Sequence, residues 1–195
     1  SYNFSWLGRP IIQYPQDIVA MQEIIWAVKP DLIIETGIAH GGSLTFSASM
    51  LALLDMVEAT TKNTTVDINN PRRKVLGVDI DIREHNYKQI NEHPFKPWID
   101  MIEGSSVSEE VYTAVYETAK KYNRVLVCLD SNHTHSHVEK ELSLYANLTS
   151  VGSYCCVFDT VIEDMPAEMC QDRPWGPGNN PKTAVLDFLE KNLAL

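Results

Sequence analysis

The sequence predicts an α/β protein built on a doubly wound, mostly parallel sheet of the Rossmann-like type. Three observations predict it. Short apolar runs alternate five times with segments of helical periodicity. The first apolar run passes directly into a glycine-rich turn. Every run is followed by polar or acidic residues, as expected when the carboxyl ends of parallel strands share one edge of an open sheet.

The N-terminal elements follow from apolar spacing and breakers. A proline-containing lead-in, Trp6 to Tyr14, precedes a helix over Pro15 to Val28, which has apolar residues at helical intervals and is ended by Lys29-Pro30. Residues 32–35 form the first strand, and the glycine turn leads into a helix from Ser43 to about Leu54. The polar stretch Thr60 to Arg73 is predicted to be a loop.

The remaining chain repeats the alternation of strand and helix. Four further apolar runs predict strands over Lys74–Asp81, Ile99–Ser106, Arg124–Asp130 and Gly152–Asp159. Helical spacing predicts helices over Arg83–Asn91, Val107–Tyr122, His137–Tyr145 and Thr183–Leu193. Met165 to Pro181, with four prolines and two glycines, is predicted to be a loop. Because sheets of this type normally continue after such a helix, we expect C-terminal strands of the fold to be missing.

The glycine turn is the predicted cofactor cradle. Glycines allow positive φ and close approach of a ligand, and the following helix offers free N–H groups. Glu35, two residues before the first glycine, would repel a pyrophosphate but attract the ammonium group of S-adenosylmethionine (SAM). The spacing also departs from G-x-G-x-x-G, so SAM is favoured over NAD, which stays open as an alternative. The predicted contacts here are Glu35, Gly37, Ala39, Gly41 and Ser43.

The ends of the second and third strands supply the predicted contacts to the nucleoside. Asp79 is placed to accept hydrogen bonds from both ribose hydroxyls, and it lies nearer its strand end than Asp81 does. The turn after Glu103, with Ser105 and Ser106, would border the adenine. One acidic residue after a strand is usually a helix cap, but five consecutive cases are poorly explained by capping alone.

The fourth and fifth strands end in Asp130 and Asp159, which predict a magnesium site. Mg²⁺ prefers oxygen ligands and keeps waters that a substrate can displace. Thr160 is the predicted third ligand, with Glu163 or Asp164 as alternatives. A metal ion there would lower the pKa of a substrate hydroxyl and orient it toward the methyl group.

Three alternate histidines follow Asp130. We assign His133 as general base, His135 as a contact to substrate or metal, and His137 as part of the helix start. Asp130 and His133 are therefore the predicted catalytic residues.

Bulk properties limit the class of partner. The 195 residues fit one domain, with residues 1–30 as lead-in and first helix. With 44% hydrophobic residues, no membrane-length apolar run and a net charge of −10, the chain is expected to bind a small molecule rather than nucleic acid or membrane.

Ser1 to Leu7 lack signal-peptide features, which predicts a cytoplasmic location, and the four cysteines are expected to be free thiols. Apolar lead-in residues (Trp6, Ile11, Ile12) predict a homo-oligomer.

Four motifs together resemble the cephalosporin hydroxylase family: Trp6 to Gln13, the Ile34 to Ser43 turn, Leu129 to His135 and Arg173 to Pro181. That family is similar to class I SAM-dependent methyltransferases and includes rhamnosyl O-methyltransferases. The resemblance implies a SAM site at the glycine turn and a magnesium site at the fourth and fifth strand ends. Some relatives have Glu-Asp where this chain has Phe158-Asp159, so one ligand of that pattern is absent.

The predicted function is a SAM-dependent, Mg²⁺-assisted O-methyltransferase acting on a hydroxyl of a small polar substrate such as a sugar or natural product. Trp175 and the loop Gly176 to Asn180 would cover the site. Two alternatives stay open: an oxygenase using a 2-His-1-carboxylate iron site, as the family name suggests, and a non-catalytic SAM-binding protein.

Overall fold

Five parallel strands form the central sheet of the computed structural model, which describes residues 4–193. A short hairpin, β1 (Phe4–Trp6) and β2 (Arg9–Ile11), precedes the sheet. The sheet strands are β3 (Leu32–Thr36), β4 (Lys74–Asp79), β5 (Ile99–Glu103), β6 (Val125–Leu129) and β7 (Cys155–Val157). Their spatial order is β5-β4-β3-β6-β7, with every neighbouring pair parallel.

Six helices cover the two faces of the sheet. They are α1 (Pro15–Val28), α2 (Gly42–Lys62), α3 (Glu84–Asn91), α4 (Glu109–Ala119), α5 (His135–Tyr145) and α6 (Pro181–Leu193). One core joins the sheet to α1, α2 and α3, and a second joins it to α4, α5 and α6. This arrangement confirms the predicted doubly wound α/β fold.

The central strands β3 and β6 are buried along their whole length. Alternate residues point to opposite faces, so Ile33 and Leu126 enter the α1–α3 core while Ile34 and Val127 enter the α4–α6 core. Burying each such side chain contributes roughly 1.5–3 kcal/mol, which explains why strands buried on both faces read as continuous apolar runs.

The strand order reverses direction between β3 and β6. Successive strands from β3 are added toward β4 and β5, and the chain then returns to place β6 and β7 on the other side. The loops leaving β3 and β6 therefore diverge to opposite faces, which opens a crevice at their carboxyl ends, where sheets of this kind bind ligands.

The lead-in packs against α2 instead of standing free. The Trp6 indole donates to Ser49 Oγ at 3.0 Å and meets Phe46 edge-on, with ring centroids 4.9 Å apart. Ile11 is only 2% exposed. Trp6 and Ile11, two of the three apolar residues behind the oligomer prediction, are thus partly or wholly buried by packing within the chain.

Several predicted boundaries were wrong. Helix α2 continues to Lys62, so the loop begins at Asn63, because Lys62 pairs with Glu58 one turn earlier and Thr60 bonds back to the Met56 carbonyl. The fifth strand is shorter than predicted, with β7 ending at Val157. The second strand ends at Asp79 and the third at Glu103, both earlier than predicted, and α4 covers only Glu109–Ala119. Helices α5 and α6 each begin two residues earlier than predicted, at His135 and Pro181.

Within the described residues, no helix has both the length and the apolarity needed to cross a bilayer. The four cysteines are free thiols. Residues 1–3, part of the segment behind the cytoplasmic prediction, lie outside the described residues.

Candidate active site

The glycine turn after β3 is shaped by close protein packing. Gly37 has φ +92°, and a Cβ there would lie 2.1 Å from the carbonyl oxygen of Asp130. A Cβ on Gly42 would lie 2.2 Å from the Pro10 carbonyl oxygen. The expectation that these glycines clear space for a ligand was therefore incomplete, since a side chain at either position would first meet the backbone of a neighbouring segment.

Asp79 at the end of β4 holds this turn in place. Its Oδ2 accepts hydrogen bonds from the backbone N–H groups of Ile38 at 2.7 Å and Ala39 at 3.1 Å. Its Oδ1 accepts from the Asp81 N–H at 3.2 Å. The amides that could cradle a phosphate in a dinucleotide site are thus already bound by a carboxylate.

Glu35 presents an incompletely bonded carboxylate next to the turn. The side chain is buried, and Oε2 accepts from Ser47 Oγ at 3.3 Å, while Oε1 has no hydrogen-bond partner among the described residues. Burial raises the pKa of Glu35 to about 7, and the nearby hydroxyls of Ser43 and Ser47 only partly oppose this effect. A buried carboxylate with a free oxygen is the group that a cationic ligand would satisfy.

Two cavities lie near the carboxyl ends of β3 and β6. Glu35, Ser43 and Asp130 line the first cavity on the α1–α2 side, together with the apolar residues Ile11, Ile18, Met21, Phe46 and Phe158. The second cavity lies on the other side of Gly37 and is lined by Asp79, Ser105, Ser106, Ser131 and His137, among others. Asp130 lines the first cavity and its neighbour Ser131 lines the second, so one extended ligand could reach from one cavity to the other.

Asp130, His133 and Asp159 form a cluster whose ligand atoms all lie within 4.8 Å of one another. The His133 Nε2 is 3.2 Å from Asp159 Oδ2. Two carboxylates and an imidazole fit a divalent cation by charge and donor type; the imidazole is a ligand more typical of Mn²⁺ or Zn²⁺ than of Mg²⁺. The structure brings the two predicted aspartates close together, and it adds the imidazole, which was assigned from the sequence only as a base.

The environment of Asp130 favours its protonated form when no cation is bound. Burial raises the pKa of Asp130 well above its usual range, and Asp159 and Glu35 add like-charge repulsion. The Gln13 side chain from the lead-in donates to Asp130 Oδ2 at 2.5 Å. The pKa of Asp17 in α1 is also raised, by burial and then by the negative charge of Asp159.

His133 is enclosed by the loop before α6. Its ring meets the Trp175 ring edge-on, with centroids 4.8 Å apart, and the Arg173 guanidinium lies 5.4 Å from the centre of the Trp175 ring. Burial lowers the pKa of His133. The ring is therefore neutral at pH 7, as a general base must be.

The structure corrects the assignments of His135 and His137. His135 Nδ1 lies 2.8 Å from Thr183 Oγ1 and its Nε2 lies 3.5 Å from Asp187, so this residue ties α5 to α6 and does not contact the metal cluster. His137 belongs to the first turn of α5, as predicted, but its ring also lines the second cavity.

Glu163 and Asp164 do not reach the metal cluster as alternative ligands. Glu163 accepts hydrogen bonds from the Gly178 N–H and the Asn180 amide, which holds the loop beside Trp175. Asp164 is exposed and pairs with Lys182. Thr160 follows Asp159 at the start of a 3₁₀ turn and lines a groove between α1 and β7.

Sequence reasoning missed Gln13, Asp17 and the partners of His137. Glu141 is fully buried beside His137, and Tyr145 one turn further donates to the Ser106 carbonyl oxygen at 2.6 Å. Their spacing of four residues was a usable signal, since positions i, i+4 and i+8 share one helix face. Gln13 entered the sequence analysis only as the last residue of the Trp6 to Gln13 motif, and Asp17 carried no local signal.

Comparison with known proteins gives one family and several relatives. The family described as rhamnosyl O-methyltransferase/CmcI matches residues 1–194. The rhamnosyl O-methyltransferase of Mycobacterium leprae is 28% identical over 163 residues, which cover 83% of this chain and 62% of the relative. That of Mycobacterium bovis is 28% identical over 152 residues, covering 77% and 54%. The chain thus spans little more than half the length of these relatives.

Solved structures with the same fold include CmcI and the MycE methyltransferase. CmcI with SAH superposes with a TM-score of 0.52 at 15% identity, covering 81% of this chain and 67% of that chain. The MycE methyltransferase from the mycinamycin biosynthetic pathway, in complex with Mg, SAH and mycinamycin VI, gives 0.56 at 17% identity, covering 93% and 43%. At such identities the likeness establishes the fold.

Proposed function

Because this chain belongs to the rhamnosyl O-methyltransferase/CmcI family, which confirms the resemblance drawn from its motifs, we propose that it is a SAM-dependent, Mg²⁺-assisted O-methyltransferase. Its substrate is a hydroxyl of a small polar molecule such as a sugar or natural product. In this proposal residues 1–195 act as one methyltransferase-like domain.

One observation carries the proposal. The partly unbonded, buried carboxylate of Glu35 lies at the ends of the two central strands, beside the cluster of Asp130, His133 and Asp159. A cationic donor and a divalent cation are the two partners that these groups need. SAM-dependent methylation of a metal-bound hydroxyl uses both.

The first part of the site would bind the cofactor. Glu35 would pair with the ammonium group of the methionine part, with Ser43 beside it. Asp79 would accept the ribose hydroxyls while it continues to hold the turn amides of Ile38 and Ala39, so the turn containing Gly37 and Gly41 stays fixed. Ser105 and Ser106 would border the adenine in the second cavity.

The second part would position the acceptor. Asp130 and Asp159, with Thr160, would hold the cation, which when bound lowers the pKa of the acceptor hydroxyl and orients it. His133, whose Nε2 lies 3.2 Å from Asp159 Oδ2, would remove the proton through the ring nitrogen that carries none. Gln13 would fix the Asp130 carboxylate through its donated hydrogen bond. Alignment of the acceptor oxygen with the methyl group then provides most of the rate acceleration.

A groove between α1 and β7 would admit the acceptor. Its walls combine polar groups of Asp17, Asp159 and Thr160 with apolar side chains, including Tyr14, Met21, Ile24 and Phe158. Phe158, where some relatives have a carboxylate, thus gives an apolar wall to this groove. Trp175 would close the opposite side over His133.

Specific contacts weigh against the two enzyme alternatives. A dinucleotide would need the turn amides that Asp79 occupies. An iron oxygenase would need a second histidine in the cluster, and His135, the nearest in sequence, is bonded to Thr183.

Calorimetric titration of the folded protein with SAM and with S-adenosylhomocysteine (SAH), each with and without Mg²⁺, tests the proposal. We expect saturable binding of both nucleosides, and transfer of a labelled methyl group from SAM to a hydroxyl acceptor that depends on Mg²⁺. Absence of heat with either nucleoside would refute the proposal. Binding without transfer to any candidate acceptor would support a non-catalytic SAM-binding protein instead.

We further propose that the protein acts in the cytoplasm as a homo-oligomer. Free cysteines suit a reducing compartment. Exposed apolar side chains on α1 and α2, among them Val19, Trp26, Leu53 and Met56, suit an interface between subunits. Light scattering after size-exclusion chromatography measures the oligomeric state directly, and a monomer at micromolar concentration would contradict this part.

A further inference from the structure

We propose that His137 selects adenine as the base of the cofactor, because a hydrogen-bond chain through Ser131 and Glu141 leaves its ring Nδ1 as an acceptor for the exocyclic amino group. This inference rests on the proposed function, since it assumes that the second cavity binds the adenosyl part of SAM.

The polar groups behind this cavity are arranged along one face of α5. His137, Glu141 and Tyr145 follow one another at intervals of four residues. Glu141 and Tyr145 are fully buried, and Glu141 Oε2 has no hydrogen-bond partner among the described residues. An acidic side chain inside an otherwise apolar core is costly, and the packing of α5 alone does not require it.

The chain of hydrogen bonds sets the tautomer of the His137 ring. Ser131 Oγ donates its only proton to Glu141 Oε1 at 2.7 Å, because a carboxylate can only accept. The same Ser131 oxygen lies 3.2 Å from His137 Nε2, so it must accept the proton of that nitrogen. In the neutral ring Nδ1 then carries no proton and is an acceptor.

The remaining groups of the cavity agree with a purine base. Ser106 Oγ lies 3.2 Å from the protonated His137 Nε2, where it can accept, so the Ser106 proton is available to a ring nitrogen of the ligand. Asp79 lines the same cavity and suits the ribose that joins the base to the rest of the cofactor. Nδ1 of His137 has no partner among the described residues. A hydrogen-bond donor on the base, such as the adenine amino group, would satisfy this acceptor.

A hypoxanthine base distinguishes this role from simple packing. It has a carbonyl oxygen in place of the adenine amino group, so an acceptor at His137 would face another acceptor. Sites that hydrogen-bond a substrate group discriminate strongly against analogues that lack it, because the site group is left unpaired.

The test is calorimetric titration of the full chain with SAH and with S-inosylhomocysteine. We expect the wild type to bind SAH at least ~10-fold more tightly, the size of effect that one hydrogen bond supports. His137→Ala should weaken SAH binding about 10-fold and bring the two affinities within about threefold of each other. Lys140→Ala, exposed on the same helix, should behave as the wild type.

Ser131→Ala is the second variant, since Ser131 is exposed and its loss should not prevent folding. It removes the group that sets the tautomer and should reduce the preference for SAH without weakening S-inosylhomocysteine. If the wild type binds SAH and His137→Ala keeps the full preference, the inference is wrong while the proposed function stands. If the wild type binds neither nucleoside, the proposed function itself fails.

Discussion

Gly37 lies so close to Asp130 that a Cβ on the glycine would be 2.1 Å from the aspartate carbonyl oxygen. The two residues end neighbouring central strands, β3 and β6. This contact brings the turn predicted for the cofactor and the aspartate predicted for the metal into direct backbone contact. A disturbance at Gly37 therefore changes both parts of the site.

Gly37→Ala should destabilise the protein strongly, because the new Cβ meets backbone atoms that cannot move independently. We expect a loss of about 3 kcal/mol or more in the free energy of unfolding, measured by urea denaturation. Gly152→Ala is the matched control, with φ +80° and no atom within 4 Å of its Cβ. It should lower the free energy of unfolding by only about 1–2 kcal/mol, which is the steric cost of a side chain at positive φ. Equal losses at both positions would contradict the packing explanation.

Glu35 should make the stability of the ligand-free protein depend on pH. Its pKa is raised from 4.5 to about 7 by burial, so the folded state favours the protonated form. The contribution of Glu35 to the free energy of unfolding is therefore greatest below pH 4.5. It falls by about 3 kcal/mol as the pH rises to about 7. Denaturant unfolding at pH 5 and pH 8 should show a larger loss in the wild type than in Glu35→Gln, in which the other buried carboxylates, Asp130 and Asp17, still contribute. The exposed substitution Glu92→Gln should leave the wild-type difference unchanged.

Asp79→Ala should abolish cofactor binding, since it removes both the ribose acceptor and the group that holds the turn amides. We expect a weakening of at least ~100-fold by calorimetry with SAH, consistent with losing more than one charge-assisted hydrogen bond. Asp81→Ala removes a neighbouring exposed carboxylate and should bind SAH as the wild type does.

Asp130→Ala should spare SAH binding but remove the response of methyl transfer to Mg²⁺. The aspartate belongs to the metal cluster, and its carboxylate lies 2.5 Å from the Gln13 amide. Transfer measured with Mg²⁺ and after removal of metal with EDTA provides the comparison. The reverse pattern, in which Asp130→Ala loses SAH binding and Asp79→Ala keeps it, would overturn both assignments.

His133→Gln should lower the rate of methyl transfer by about 10²–10⁴-fold, the usual contribution of a general base, without changing the affinity for SAH. Burial lowers the pKa of His133 below 6.5, so wild-type activity should be constant between pH 7 and 8 and fall below pH 6.5 as the ring gains a proton. Titration with Mn²⁺ distinguishes a His133 that acts as general base from one that binds the metal. A large loss of metal affinity in His133→Gln would show that the imidazole is a metal ligand. His85→Gln, exposed on α3, is the control.

Periodicity was sufficient for the order of the elements, because strands buried on both faces, such as β3 and β6, must be continuously apolar. It also placed Glu35, Asp79, Asp130 and Asp159 at one edge, since parallel strands end together. The boundary of α2 was missed because side-chain bonds extend the helix beyond its apolar stripe.

Side-chain direction limited the prediction of the site. The sequence assigned His133, His135 and His137 to three different roles but could not give their partners, because a helix begins at His135 and its geometry sends the rings in different directions. His133 reaches Asp159, His135 reaches Thr183 and His137 reaches Ser106. Contacts between distant segments, such as Glu163 with the loop at Gly178, had no local pattern.

The hydrogen bond from Gln13 to Asp130 joins residues 117 positions apart in the chain. Closing so long a loop costs entropy that only native packing on both sides repays. During synthesis, the lead-in leaves the ribosome long before β6 exists to receive it. The growing chain therefore has no complete metal cluster until β7 has been made, and an intermediate that has folded only its first half cannot yet bind the cation there.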